Sequence, residues 1–452
     1  MSTTTTNNEI NAEPTKSFFV DMLVRDIPLE QAILDLVDNS VDGAKSLVNP
    51  DGLPFDGREI KIDFSKEKFK IWDNCGGFDS KVAAEYAFRF GRPNNTPRTP
   101  HSIGQFGVGM KRALFKFGSH FIVRSSTKDD SWQIDIDVPT WESEAGWTFP
   151  WGEFNSSEEI STKNPGTEII VDKLRAEVAW KFSTIAFQNA MIGLIKSKHR
   201  QFIADGLSIQ VNGNHIDASS LLLLTANNSN FRPGFDEFTI EEEGKAEVRV
   251  KIIVGIGFSS PREAGWYVVC NGRVILDADR RSATGWGLVE ESTDGVAIPS
   301  FHNQFARFRG IVMFDSDDSS RVPWNTTKTD IDQDGPVWQR TFSRMTEMMR
   351  PVINFLNELD RDIDEHTREH SPLLRFVNTA STVKHDVLPR QNTNFAAPER
   401  AAIAAENRVK TVKVQYSRPV EDVNFLMKEL NLGTAKAVGE KTFDLIMQQM
   451  DE

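Results

Sequence analysis

Apolar residues recur at helical spacing from Leu29 to Ala44: Ile33, Leu36, Val37 and Ala44 make one face, while Asp35, Asn39 and Asp42 fall at i, i+4 and i+7 on another. The pattern predicts an amphipathic helix whose acids face a site. Just upstream, SFFVDMLVRDI follows Lys16 and is too apolar to lie in water, so residues 16–26 are expected to pack on this domain or on a second copy of the chain. Downstream, Glu59–Phe64 and Lys68–Trp72 alternate as two strands of a hairpin, and Ser80–Phe90 reads as a helix. Residues 91–100, with prolines, asparagines and arginines, form a loop expected to move. A helix over Val108–Phe117 precedes strands near His120–Ser125, Trp132–Val138 and Gly166–Val171.

The pattern restarts near Ala179. Phe182–Ile195 reads as a helix, Ser208–Val211 with Asn212-Gly213 as a hairpin, and Val248–Phe258, Gly265–Val269 and Gly310–Phe314 as strands. Helices and strands mix without a regular βαβ alternation, which predicts an α+β fold with a mixed sheet. The expected organisation is an N-terminal arm over 1–15, a first domain over 16–178, a second over 179–345, a helical region over 346–377, a linker over 378–412 and a small helical segment over 413–452.

Composition narrows the class. The 452 residues are 39% hydrophobic and 26% charged, ordinary for a folded chain with two or three cores. No run approaches a membrane span and the first residues carry no leader pattern, so the expected setting is intracellular, in the cytoplasm, with no membrane partner. Cys75 and Cys270 lie far apart, which supports neither a disulfide framework nor a zinc site. A formal net charge of −13 argues against passive adhesion to nucleic acid. The local basic clusters, Lys196 with Lys198, His199 and Arg200, and Arg280 with Arg281, are expected to be solvated patches.

Two glycine motifs follow the organising helix. In Ile71-Trp72-Asp73-Asn74-Cys75-Gly76-Gly77 a strand runs into an acid and a tight turn; in Ser102-Ile103-Gly104-Gln105-Phe106-Gly107-Val108-Gly109-Met110-Lys111 a flexible loop opens a helix. Taken in this order, the helix and the two motifs resemble the GHKL ATPase family of gyrase B, MutL, the MORC proteins and a heat-shock chaperone, and are most similar to the MORC group. The resemblance implies a Bergerat-type ATP-binding α/β sandwich, then a transducer-like α/β domain and a helical C-terminal tail, with ATP and Mg2+ as the bound species.

Carried over by that resemblance, Asn39 ligates Mg2+ and Asp35 takes the position of the water-polarising base. The family has glutamate there, and an aspartate falls about an ångström short, a misplacement that can cost about a hundredfold in rate. Asp38 and Glu30 rank behind it. Asp73 matches the adenine-reading acid, with Gly77 in its turn, although Cys75 stands where the family has its first glycine. Gly104, Gln105, Phe106, Gly107, Val108, Gly109 and Lys111 match the phosphate-binding loop, whose bare backbone N–H groups approach oxygens at a helix N-terminus. Thr167 resembles the threonine beside the adenine. Lys328, within Asn325-Thr326-Thr327-Lys328, resembles the lysine that the second domain sends to the nucleotide. The expected activity is a slow ATPase working as an ATP-gated dimerisation switch, with self as partner and DNA or a client protein left open; an ATP-binding conformational switch or chaperone-like module with little hydrolysis is the alternative. Histidine kinases share the asparagine and glycine boxes, but no histidine precedes His101.

Overall fold

In the computed structural model, residues 14–25, 27–89, 99–104, 107–226, 230–288, 298–366, 368, 370–388, 391–398 and 414–451 are described, and the elements and counts below are those of the described residues. Most of the N-terminal arm, most of the loop over 91–100, Gln105, Phe106 and the linker from 399 to 412 lie outside them. The chain forms two compact units, divided at Glu358/Leu359, Arg375/Phe376 and Arg400/Ala401.

The first unit begins with α1 (Lys16–Arg25) and α2 (Leu29–Lys45), then β1 (Glu59–Phe64), β2 (Phe69–Asp73) and α3 (Ser80–Val82), which continues as a π-helical turn, Ala83–Ala87. Next come α4 (Gly109–Phe117), β3 (Gly118–Ser126), β4 (Ser131–Asp137), α5 (Val138–Ser143) and β5 (Gly166–Leu174). α6 (Ala176–Phe182), α7 (Ile185–Lys198), α8 (Arg200–Ala204), β6 (Ser208–Val211) and β7 (Asn214–His215) complete the first layer. Its sheet has the order β4-β3-β5-β2-β1-β6-β7. The hairpin register puts Ile60, Ile62 and Phe64 on the buried face of β1, opposite Asp73, Ile71 and Phe69. Phe64, Phe69, Phe117, Phe182 and Phe187 cluster behind it, with ring centroids 4.6 to 5.9 Å apart.

β6 pairs parallel with β1, so this sheet runs past the domain boundary expected at 178. The physical reason is the β1 edge: without β6 its backbone groups would be unpaired, and Ile209 and Val211 cover Ile60 and Ile62. α2 spans the predicted helix and one residue more, with Glu30 in its first turn and Lys45 in its last, each favourable to the helix dipole. It is buried on most of its circumference, including Asp35 and Asp38, while Asn39 stays exposed.

The second half carries β8 (Leu222–Thr225), β9 (Gly234–Ile240), β10 (Val248–Ile256), β11 (Gly265–Cys270), β12 (Arg273–Asp279) and β13 (Phe308–Asp315). Then come α9 (Pro336–His366), α10 (Pro372–Thr379) and β14 (Ser381–Lys384). The sheet order is β12-β11-β13-β10-β9, with β11 buried along its whole length. The expected linker is ordered over its first part, which corrects that reading: β14 pairs with β8, and Phe395 packs on Phe231 and Phe355. Polar composition hid these few apolar anchors.

The second unit contains Leu359–Arg375 and, from 414, α11 (Val420–Glu429) and α12 (Ala435–Asp451). Within it the Asp362 carboxylate accepts from Ser371 Oγ at 2.5 Å and Leu373 N at 3.1 Å, closing the turn that follows α9. Among the described residues no helix is long and apolar enough to cross a membrane.

Candidate functional site

A cleft of about 850 Å3 opens between α2, the end of β2 and β5, with Asn39, Ser40, Asp42, Asp73, Gly77 and Thr167 among its lining residues. Register brings Asp73 opposite Thr167. Asp73 is buried: Oδ2 accepts from Ser40 Oγ at 2.7 Å, and Oδ1 accepts from Cys75 N at 2.9 Å and Thr167 N at 3.3 Å. Burial pushes its pKa up, against the pull of these three hydrogen bonds. A carboxylate has about four lone-pair sites, so three partners leave one acceptor facing the cleft. Cys75 is thus compatible with its position, because the turn needs its backbone N–H and buries its side chain.

Gly77 sits at φ +63°, and a Cβ there would lie 2.2 Å from the Ser126 carbonyl oxygen. At Gly166 a Cβ would lie 2.0 Å from the Asp73 carbonyl oxygen, so β5 can approach the acid only without a side chain. Thr167 Oγ1 is 3.1 Å from Ser125 Oγ.

On the cleft's other side, Asp42 organises the second glycine motif: its carboxylate accepts from Ser102 Oγ at 3.0 Å, Ile103 N at 2.8 Å and Gly104 N at 2.7 Å. Gly107 follows at φ +63°, Val108 caps α4 and Gly109 begins it. Asn39 is exposed, one turn from Asp42. Lys111, expected beside the phosphates, is buried with Nζ donating to the Ala87 carbonyl at 2.7 Å, and burial pulls its pKa down to about 7. Gln105 and Phe106 lie outside the described residues.

Asp35 lies under the start of α4, where a Cβ on Gly109 would be 3.1 Å from its Oδ2. Gln31 Nε2 donates to Asp35 Oδ1 at 3.1 Å, and Lys328 Nζ stands 3.6 Å from the same oxygen. Burial raises the Asp35 pKa while Lys328 opposes the rise. Lys328 also donates to Asp38 Oδ2 at 2.9 Å, so the second half delivers its lysine to the helix that carries Asp35.

Asp38 is not a rival base. It is fully buried, with Arg273 Nε at 2.9 Å and His199 Nε2 at 2.8 Å on Oδ1. Burial works against its charge, but Arg273, Lys328 and the His199 hydrogen bond hold the carboxyl well below the usual range. Losing one partner of such a buried cluster costs about 3–5 kcal/mol. Glu30, the other rival, pairs with Lys181 at 3.3 Å.

The sequence pattern did not place Asn271-Gly272, the turn joining β11 to β12. Asn271 Nδ2 donates to the carbonyls of Ser102 at 3.1 Å and Ser316 at 3.2 Å, and Lys45 Nζ donates to the Asn271 carbonyl at 3.0 Å. The available signal was the Asn-Gly dipeptide between apolar runs, a strong hairpin mark; its landing place against the glycine loop had none. The Lys196–Arg200 cluster is likewise no solvated patch: His199 is buried on Asp38, Lys198 Nζ donates to the Ile275 carbonyl at 2.6 Å, and Arg200 faces Asp277 at 3.5 Å. Arg281 makes paired bonds of 2.8 and 3.0 Å to Asp330.

Residues 27–167 match the family described as Histidine kinase-, DNA gyrase B-, and HSP90-like ATPase, and ATP binding is the activity that this match supports. No curated protein matches the chain. The residues fit an adenine nucleotide with Mg2+. Asp73 keeps one acceptor toward the cleft, and Asn39 offers an exposed carboxamide oxygen. No cluster of three or more His, Cys, Asp or Glu that could hold a metal by itself occurs among the described residues; Mg2+ habitually binds one or two protein oxygens together with substrate phosphates.

Proposed function

We propose that this chain binds ATP with Mg2+ in the α2/β2/β5 cleft, hydrolyses it slowly, and uses the bound nucleotide to gate dimerisation. The observation that carries the reading is Lys328: an ammonium from the second half meets two of the four acids of α2, the helix that also bears Asn39, at 2.9 Å from Asp38 and 3.6 Å from Asp35. In this reading Asp73 accepts the adenine amine and Thr167 stands beside it. Gly107 and Gly109 present backbone N–H groups to the phosphates, and Gly104, its N–H held by Asp42, keeps the loop beside them free of a side chain. Mg2+, held through Asn39, supplies neutralisation of phosphate charge. Asp35 orients and deprotonates the attacking water, and Lys328 distinguishes ATP from ADP at the terminal phosphate. The second half is then a transducer, and we assign the chain to the MORC-like group.

One observation favours slow turnover. Burial raises the Asp35 pKa, which disfavours the ionised form a base needs, and its side chain is one methylene shorter than glutamate.

The gate is placed at α1. Val20 and Val24 are buried, Lys16 donates to the Trp141 carbonyl and Phe19 meets Trp147 edge-on, so α1 packs on its own domain. Phe18 and Met22, at i and i+4, remain 61% and 49% exposed and form an apolar stripe for a second copy. Light scattering with a non-hydrolysable ATP analogue tests the gate. The expected result is a dimer that Phe18→Ala with Met22→Ala prevents; a chain that stays monomeric at micromolar concentration, or a double variant that dimerises normally, refutes it.

A further inference from the structure

A second cavity, of about 780 Å3, lies against the second-half sheet and shares no lining residue with the nucleotide cleft. Its floor follows from register. On β11 and β13, Tyr267 faces Ile311 and Val269 faces Met313; on β10, Lys251 lies opposite Met313 and Arg249 opposite Asp315. Side chains two apart share a face, so three adjacent strands grade from a buried apolar end to a cationic end within one cavity. Arg200 closes a wall, its guanidinium 5.0 Å over the Tyr267 ring.

The charges on this cavity are unbalanced. Arg200, Arg249 and Lys251 line it with Asp315 as the one lining acid, in a chain whose net charge is −13. Arg249 meets Asp315 at 3.1 Å and Lys251 meets Glu237 at 3.6 Å, all four side chains at least a third exposed. Such solvated pairs are worth little, so an incoming anion can take their place. His385 also lines the cavity, and its Nδ1 is buried without a hydrogen-bond partner among the described residues. A buried polar atom left in this way is costly unless something binds it.

We propose that this cavity binds a small organic anion with an apolar body, of the class of medium-chain or aryl carboxylates. The body lies on Tyr267, Val269 and Ile311, and the anionic head meets Lys251 and Arg249. An inorganic anion would leave the apolar floor unused, and a neutral lipid would gain nothing from the cations. The site stands independently of the nucleotide reading.

Fluorescence titration of the full chain with 1-anilinonaphthalene-8-sulfonate tests it, followed by competition with octanoate, octanol and ATP. The expected result is one saturable site per chain, displaced by octanoate at concentrations where octanol has no effect, and insensitive to ATP. Lys251→Glu, at a partly exposed position that the fold tolerates, should weaken the probe at least tenfold, and Val269→Trp should abolish binding by filling the cavity. If Val269→Trp fails to fold, Lys251→Glu decides alone. Absence of a saturable site, displacement by ATP, equal displacement by octanol, or unchanged affinity in Lys251→Glu would each overturn the proposal.

Discussion

Replacing Asp73 by asparagine exchanges one oxygen for an amide nitrogen at the end of the cleft, and the geometry says which contacts survive. The retained Oδ1 still accepts from Cys75 N and Thr167 N, now 2.9 and 3.3 Å away. The new Nδ2 takes the place of Oδ2, and the Ser40 hydroxyl, 2.7 Å away, can turn from donor to acceptor. The local fold is therefore preserved. What disappears is the last acceptor facing the cleft, and an amide donor now meets the exocyclic amine of adenine.

A hydrogen bond to a charged group is worth about 1.5–3 kcal/mol, and an opposed pair of donors adds to the loss. Together they amount to about 2–4 kcal/mol, or roughly 30- to 1,000-fold in Kd. Stability should move the other way. Because burial raises the folded-state pKa of Asp73, its contribution is fully present below the unfolded value and is lost as pH rises through the folded one. At pH 7 the wild type carries that penalty and the neutral asparagine does not, so Asp73→Asn should melt no lower than wild type. Calorimetric titration with ATP beside thermal melts by circular dichroism measures both quantities. Wild-type ATP affinity in a folded Asp73→Asn chain would refute the adenine-reading role, and a collapsed melt would refute the hydrogen-bond argument.

Asp35→Ala should bind ATP but turn it over at least roughly tenfold more slowly, about 1.4 kcal/mol on the barrier, in a single-turnover assay; an unchanged rate removes Asp35 from the chemistry. Lys328→Ala should narrow the gap between ATP and ADP affinities, whereas an equal loss for both nucleotides would make the lysine structural only. His199 provides an acid limit. Burial and Arg273 lower its pKa to about 4, so the stability it contributes is present above its unfolded value near 6.5 and is lost as pH falls toward 4. The loss should approach about 3 kcal/mol, and denaturant melts of His199→Gln should lack this acid-side decline.

Short-range order was legible along the chain because period and turn chemistry are local. The 3.6-residue recurrence through Leu36 and Val37 placed α2 to within one residue, and the alternation around Ile60 and Ile62 placed β1. The glycine motifs marked both sides of the cleft because a backbone that must come within 2.2 Å of where a Cβ would stand excludes every other residue type, as at Gly77. Other features depend on partners distant in sequence, which no period records. Asp38 looked like one more acid on a helix, yet it is the buried anchor for Arg273, Lys328 and His199, drawn from three separate segments. Asn271 had no sequence mark beyond its Asn-Gly dipeptide, and folding alone set it against Ser102. Lys198 and Arg200 read as a charged surface by composition, but whether a cation meets water or protein oxygens depends on which strand lies beside it, and β12 supplies the Ile275 carbonyl and Asp277.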